Sequence, residues 1–205
     1  MNKAKIIVLN GSSSAGKTTI ATMLQQLSTE PYQHIALDQF RDGMPPQYRG
    51  FNSPEGTTGA LGLNIVPEKM KNQLVTSIKF GEFGKEVLKG MRRSVKAFAN
   101  LGINVIVDDI MFEKDFVEDY ANILKPFQTL FVAVRCSLEE VERRESMRPG
   151  RFPGTANWHF DRIHQNIIYD IEVDTTVSTP RLCAEKILHA FSDKKGNGVI
   201  EQLPT

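Results

Sequence analysis

Apolar positions along this chain fall into two alternating rhythms: short unbroken runs, and longer stretches that repeat every three to four residues. The runs are 5–10 (KIIVLN), 34–38 (HIALD), 103–108 (INVIVD), 129–135 (TLFVAVR) and the shorter 171–174 (IEVD). Unbroken apolarity over this length predicts strands buried on both faces, as in a parallel sheet. Between the first two runs, residues 18–27 carry Ile20, Met23, Leu24 and Leu27 on one helical face. Further helices are predicted over 82–101, 113–124, 138–147, 155–163 and 180–191, the last opening with Thr179 as N-cap and Pro180 at the first helical position. Strands alternating with helices predict a three-layer α/β fold around a five-stranded parallel sheet.

The stretch 41–81 breaks this rhythm. It holds Pro45, Pro46, Pro54 and Pro67 with many glycines, and the short alternating piece 61–66 (LGLNIV). Such punctuation predicts an irregular insertion containing a hairpin, and a loop of this length is expected to be functional. The tail 194–205 is expected to be loose.

Composition narrows the field. A chain of 205 residues with 40% hydrophobic content supports one core, so residues 1–205 read as a single domain. A net charge of +1 gives no basic surface of the kind nucleic acid selects, and no nucleic-acid partner is expected. No apolar run reaches the ~18 residues of a membrane span, and 6–9 is too short for a signal-peptide core. Cys136 and Cys183 match no metal spacing and read as reduced core thiols, which fits a cytoplasmic protein. His34, His159, His164 and His189 show no ligand spacing and are assigned structural or surface roles. A monomer and a homo-oligomer are both compatible with this sequence.

Chemistry enters directly after the first strand. Gly11-Ser12-Ser13-Ser14-Ala15-Gly16-Lys17-Thr18 fits G-x-x-x-x-G-K-[ST] without exception. Gly11 and Gly16 permit backbone angles and close approaches that a Cβ would block. Successive amides then face inward as an anion nest at the positive end of the next helix. Lys17 adds charge over the β- and γ-phosphates of ATP, Thr18 offers a hydroxyl to Mg²⁺, and Thr19 completes the nucleotide-binding set. The pattern arises by chance in roughly one 200-residue chain in a hundred; a strand before it and an amphipathic helix after it make coincidence rarer still. The fold expected is therefore that of a P-loop nucleoside-triphosphate hydrolase or kinase.

Three further groups complete a candidate site. Asp38, at the end of the second predicted strand, is placed to accept the proton of an attacking hydroxyl or to orient it. Asp108 and Asp109 end the third strand; neighbours point to opposite faces, so one of the two is expected at the nucleotide, and the choice between them stays open, Asp108 standing with Thr18 as the candidate metal set. Arg143, Arg144, Arg148 and Arg151 follow the fourth strand. Arg144 and Arg148 share a helical face, and Pro149-Gly150 ends that helix. A lid over 144–156 is expected, with Arg148 and Arg151 bordering the hinge, neutralising charge on the transferred phosphoryl group. Trp158 with Phe160 is expected to pack beneath it.

IIVLNGSSSAGKTT, LDQF with MP following, VIVDD, VRC leading into RRESMRPGR, and YDIEVDTT occur in an order that resembles the chloramphenicol phosphotransferase-like family of P-loop kinases. The resemblance spans most of the chain and is far more specific than the phosphate loop alone. It implies a nucleoside-kinase-like fold and ATP-dependent phosphorylation of an antibiotic-like primary or secondary alcohol. It also implies that Asp38 activates the acceptor, that Lys17 and Arg148 serve catalysis, and that 173–176, with Thr175, lies near adenine. The chain departs from the pattern over 43–82, where acceptor contacts are expected. Two other readings remain open at this point: a nucleotide or sugar-nucleotide kinase, and, in a different class, a nucleotide-dependent switch or binding module.

Overall fold

In the computed structural model, which describes residues 4–70, 73–149, 152–165 and 167–192, the five apolar runs form one sheet. The first half of the chain holds β1 (Lys5–Asn10), α1 (Lys17–Leu27), β2 (Tyr32–Ala36), α2 (Leu37–Asp42), β3 (Arg49–Phe51), α3 (Thr58–Leu61), β4 (Leu63–Met70) and β5 (Gln73–Phe80). The second half holds α4 (Glu82–Asn100), β6 (Asn104–Asp109), α5 (Lys114–Leu124), β7 (Gln128–Arg135), α6 (Leu138–Ser146), α7 (Thr155–Phe160), β8 (Ile171–Asp174) and α8 (Pro180–Ser192).

The main sheet runs β2-β6-β1-β7-β8, and every pairing in it is parallel. Register places Asn10 level with Asp109 and Ala133, and Ala36 level with Asp108. The residues that follow these positions therefore emerge together along the carboxyl edge, where open α/β sheets bind ligands. Alternate side chains feed two cores. One face packs Val8, Val107 and Phe131 against Leu88, Met91, Val95 and Tyr120 of α4 and α5. The other packs Ile7, Leu9 and Val132 against Ile20, Leu24, Cys183 and Ile187 of α1 and α8. This is the expected three-layer α/β fold.

Most element ends fall within two residues of expectation, with two corrections. The second strand ends at Ala36, not at residue 38, so Asp38 lies in the first turn of α2. Gln39 explains the early turn: its side-chain oxygen accepts from the Ala36 amide at 3.0 Å, one half of a capping box, which favours helix over continued strand. The helix expected over 155–163 stops at Phe160, and 161–165 continue as turns. Cys136 also differs from expectation: it is half-buried beyond β7, whereas Cys183 lies in the core.

Residues 41–81 contain the expected hairpin and more. β4 and β5 pair antiparallel from Leu63↔Phe80 to Met70↔Gln73, and β3 joins β4 in parallel as a second, three-stranded sheet. Gly62 fixes the entry to β4, because a Cβ there would overlap the Tyr48 carbonyl. The tail 194–205 lies outside the described residues. Among the described residues, no helix is long and apolar enough to cross a membrane.

Candidate functional site

The loop between β1 and α1 has the shape its sequence requires. Ser14 (φ 62°) and Gly16 (φ 92°) occupy left-handed conformations, which turn successive amides toward one side. A Cβ on Gly11 would stand 2.6 Å from the Val134 carbonyl oxygen, so only glycine lets β7 pass this close. Ser12, Ser13 and Ser14 are buried in the cradle, and Ser14 Oγ makes no hydrogen bond among the described residues. Lys17 is buried and folds back on the loop, its Nζ donating to the Gly11 and Ser12 carbonyls at 3.0 Å each.

The two adjacent acids of β6 separate cleanly. Asp108 faces the cradle: its Oδ2 accepts from Thr18 Oγ1 at 2.6 Å, and its Oδ1 lies 3.8 Å from Lys17 Nζ. Asp109 points into the opposite core, accepting from the Ile110 amide at 2.7 Å and the Tyr120 hydroxyl at 2.9 Å. Burial there pushes the Asp109 carboxyl above its ordinary range. A hydroxyl and a carboxylate side by side, both hard oxygen donors, fit Mg²⁺, which takes few protein ligands and completes its shell with water and phosphate oxygens.

One cavity of about 540 Å³ joins the pieces. Ser13, Ser14, Gly16, Lys17, Thr18 and Thr19 form its floor, Ala36, Leu37, Asp38, Asp108 and Ile110 one wall, and Arg144, Met147, Arg148, Thr175, Ser178 and Pro180 the other. Its volume is in the range of small-ligand sites. Asp38 is about half exposed at this wall, and Arg41 Nη1 donates to its Oδ1 at 2.8 Å while Arg41 Nε donates to Asp42 at 2.8 Å.

Arg144, which lines the same cavity, is held by three hydrogen bonds. Its Nε donates to Glu140 at 2.7 Å, and its two terminal nitrogens donate to Thr175 Oγ1 at 3.1 Å and the Thr175 carbonyl at 2.8 Å. Thr175 Oγ1 in turn donates to the Ala15 carbonyl at 2.8 Å, tying β8 to the phosphate loop. Arg148 lies just past α6, exposed, on the same cavity. Arg151 lies outside the described residues.

Some contributors carried no sequence motif. Glu145, buried on α6, accepts from the amides of Gly154 and Ala156 at 2.8 Å each and so ties the segment that follows α6 back to that helix. That segment also meets the insertion: Thr76 Oγ1 donates to the Pro153 carbonyl at 2.7 Å, Trp158 Nε1 to Glu68 at 2.7 Å, and the Phe51 and Phe152 rings stack at 5.2 Å. Trp158 thus packs on the hairpin. Asn10, fully buried, links β1 to the Met111 amide (2.8 Å), the Ile163 carbonyl (2.9 Å) and the Tyr169 hydroxyl (2.7 Å). Its signal was a polar residue closing an apolar run directly before the loop. Glu145's was an acid on the buried stripe of a helix, four residues past Val141. His34, assigned a structural or surface role from sequence, lies with its Nε2 3.9 Å from Asp108 Oδ2. Burial, the larger effect, favours the neutral ring and lowers its pKa, while the Asp108 charge opposes this.

A parallel sheet with a triphosphate cradle at its carboxyl edge, a wall acid and an arginine wall define a P-loop phosphotransferase. The chain belongs to the chloramphenicol phosphotransferase-like protein family, whose sequence model matches residues 4–192. Rv2636 of Mycobacterium tuberculosis H37Rv, which carries a provisional O-phosphotransferase name, is 28% identical over 201 residues, covering 93% of this chain and 84% of the relative. Among solved structures, the APS kinase CysC of M. tuberculosis in complex with AMPPNP and APS is similar with a TM-score of 0.63 at 14% identity, over 94% of this chain and 99% of that one. A sugar kinase from Janibacter sp. HTCC2649 is similar with a TM-score of 0.63 at 17% identity, over 92% and 95%. These two likenesses concern the fold.

Proposed function

We propose that this chain is an ATP-dependent small-molecule kinase that transfers the γ-phosphate to an alcohol hydroxyl, in the manner of a chloramphenicol 3-O-phosphotransferase. The observation that carries this reading is that Asp38 and the phosphate cradle line one cavity. The family's description and the relative's O-phosphotransferase name support the same reaction class. Hydroxylated antibiotics, chloramphenicol included, are the first acceptors to examine, with antibiotic resistance as the consequence. A cytoplasmic location belongs to this reading because ATP is the donor.

The chain's own groups divide the work. Amides of residues 12–18 bind the β- and γ-phosphates, and Lys17 Nζ exchanges its two carbonyl partners for phosphate oxygens. Thr18 and Asp108 would hold Mg²⁺, which when bound neutralises charge across the phosphate oxygens. Arg144 and Thr175 flank the nucleoside end, and Arg148 faces charge gathering on the transferred group. Asp38 orients the acceptor hydroxyl and takes its proton as the oxygen bonds to γ-phosphorus; the bond to the bridging oxygen breaks, and ADP leaves with that electron pair.

An ATP-consumption screen over hydroxylated antibiotics, nucleosides and sugars tests the reading, with mass spectrometry of the products. A phosphorylated alcohol is expected. ATP hydrolysis that no acceptor accelerates would instead indicate the switch class, and phosphorylation confined to nucleotides or sugar nucleotides would indicate that kinase class.

A further inference from the structure

His34 projects from the middle of β2, beside β6, yet its ring reaches the loop edge of the sheet. Its Nε2 is buried and makes no hydrogen bond among the described residues. A buried imidazole nitrogen left unmatched costs free energy, so its orientation calls for a partner that arrives with function. The facing polar group is the Asp108 carboxylate, whose Oδ2 lies 3.9 Å away, about 1 Å beyond a hydrogen bond.

The carboxylate is addressed on two sides. Oδ2 accepts from Thr18 and faces His34; Oδ1 faces Lys17 and the cavity. The hydroxyl alone leaves the carboxylate free to rotate about its Cβ–Cγ bond, whereas a second donor at the same oxygen fixes the plane and presents Oδ1 to the cavity. Groups that orient a metal-binding carboxylate in this way govern metal affinity almost as strongly as the ligands do.

We propose that His34 is a positioning residue whose Nε2–H holds Asp108 Oδ2 and so keeps Oδ1 aimed at the magnesium shell of the bound nucleotide. The inference rests on the ATP reading above and goes beyond it in assigning a residue that acts through Asp108 without touching nucleotide or acceptor.

Its test is a binding measurement that needs no acceptor. Fluorescence of mant-ATP is titrated with protein at a series of Mg²⁺ concentrations, for wild type, H34F and H34Q. H34F keeps the ring volume and loses the N–H; H34Q restores a donor. In H34F the half-saturating Mg²⁺ concentration is expected to rise about tenfold, with nucleotide affinity in EDTA unchanged. H34Q is expected to return to within about twofold of wild type. A folded H34F with the wild-type Mg²⁺ response overturns the proposal, as does H34Q behaving like H34F, while a purely structural role would lower the melting temperature of both without separating their Mg²⁺ dependence. Wild type failing to bind mant-ATP at any Mg²⁺ concentration would overturn the ATP reading itself, and this inference with it.

Discussion

Asp38 sits two residues beyond the last residue of β2, in the first turn of a six-residue helix, where backbone motion costs less than in a ladder. What steadies its carboxylate is Arg41, one turn on, which grips Asp38 and Asp42 together. Asp38→Asn preserves shape and hydrogen-bond acceptance but cannot take a proton. Turnover is expected to fall about a hundredfold or more, with KM for ATP changed less than about threefold. Steady-state kinetics with ATP varied checks this, and a large loss of nucleotide affinity would place Asp38 in metal binding or structure instead. At this scale the phosphate loop was legible because each of its residue types answers a local backbone or charge requirement. The role proposed for His34 was not, because it depends on β2 lying beside β6, a pairing between residues 72 positions apart for His34 and Ile106. Sequence spacing carries no trace of that proximity.

Among elements, the insertion meets the segment that follows α6. The insertion holds the stretch from Phe152 to Trp158 through two side-chain hydrogen bonds from the β4–β5 hairpin and an aromatic stack from Phe51 of β3, while α6 holds the same stretch through Glu145. Each amide bond to that buried carboxylate is charge-assisted, and such bonds are worth roughly 1.5–3 kcal/mol. Glu145→Ala is therefore expected to destabilise the protein by about 3 kcal/mol, and Glu145→Gln, which retains one acceptor, by about half as much. Urea unfolding checks this through a lower midpoint at unchanged m-value. Strand and helix order could be predicted from periodicity, since parallel strands buried on both faces leave no polar alternation. The end of β2 could not, because Gln39 caps the turn through a side chain that periodicity ignores. The three-stranded sheet of the insertion was visible only as its hairpin, β3 being too short to register as a run.

Across the whole molecule, half-buried histidines tie stability to pH. Burial first, then the positive charge of Arg135, holds the His164 imidazole down to about 4 from an ordinary 6.5. Above pH 6.5 the ring is neutral whether the chain is folded or not, and its contribution is fully present. As pH falls from 6.5 toward 4, the unfolded chain binds a proton that the folded chain refuses, so stability declines across that window. His34, also lowered, acts in the same sense. His164→Gln is expected to flatten the fall of melting temperature between pH 6.5 and 4, and an unchanged slope would mean that His164 titrates normally when folded. The global arrangement around the site followed from the five-run pattern, because parallel order gathers every strand's carboxyl end at one edge. The cross-ties through Asn10 and Glu145 are tertiary and had no local signal beyond a polar residue in an apolar place, and Thr175 was picked out by the family resemblance alone. Everything proposed for the chemistry depends on residues 11–18 gripping a triphosphate through their amides and Lys17. Calorimetric titration of ATP with Mg²⁺ into wild type and Lys17→Ala measures this most directly. Saturable one-to-one binding by wild type, weakened at least about tenfold in a Lys17→Ala variant of unchanged circular dichroism, is expected; wild-type protein that takes up no nucleoside triphosphate, or a variant that binds equally well, would contradict it.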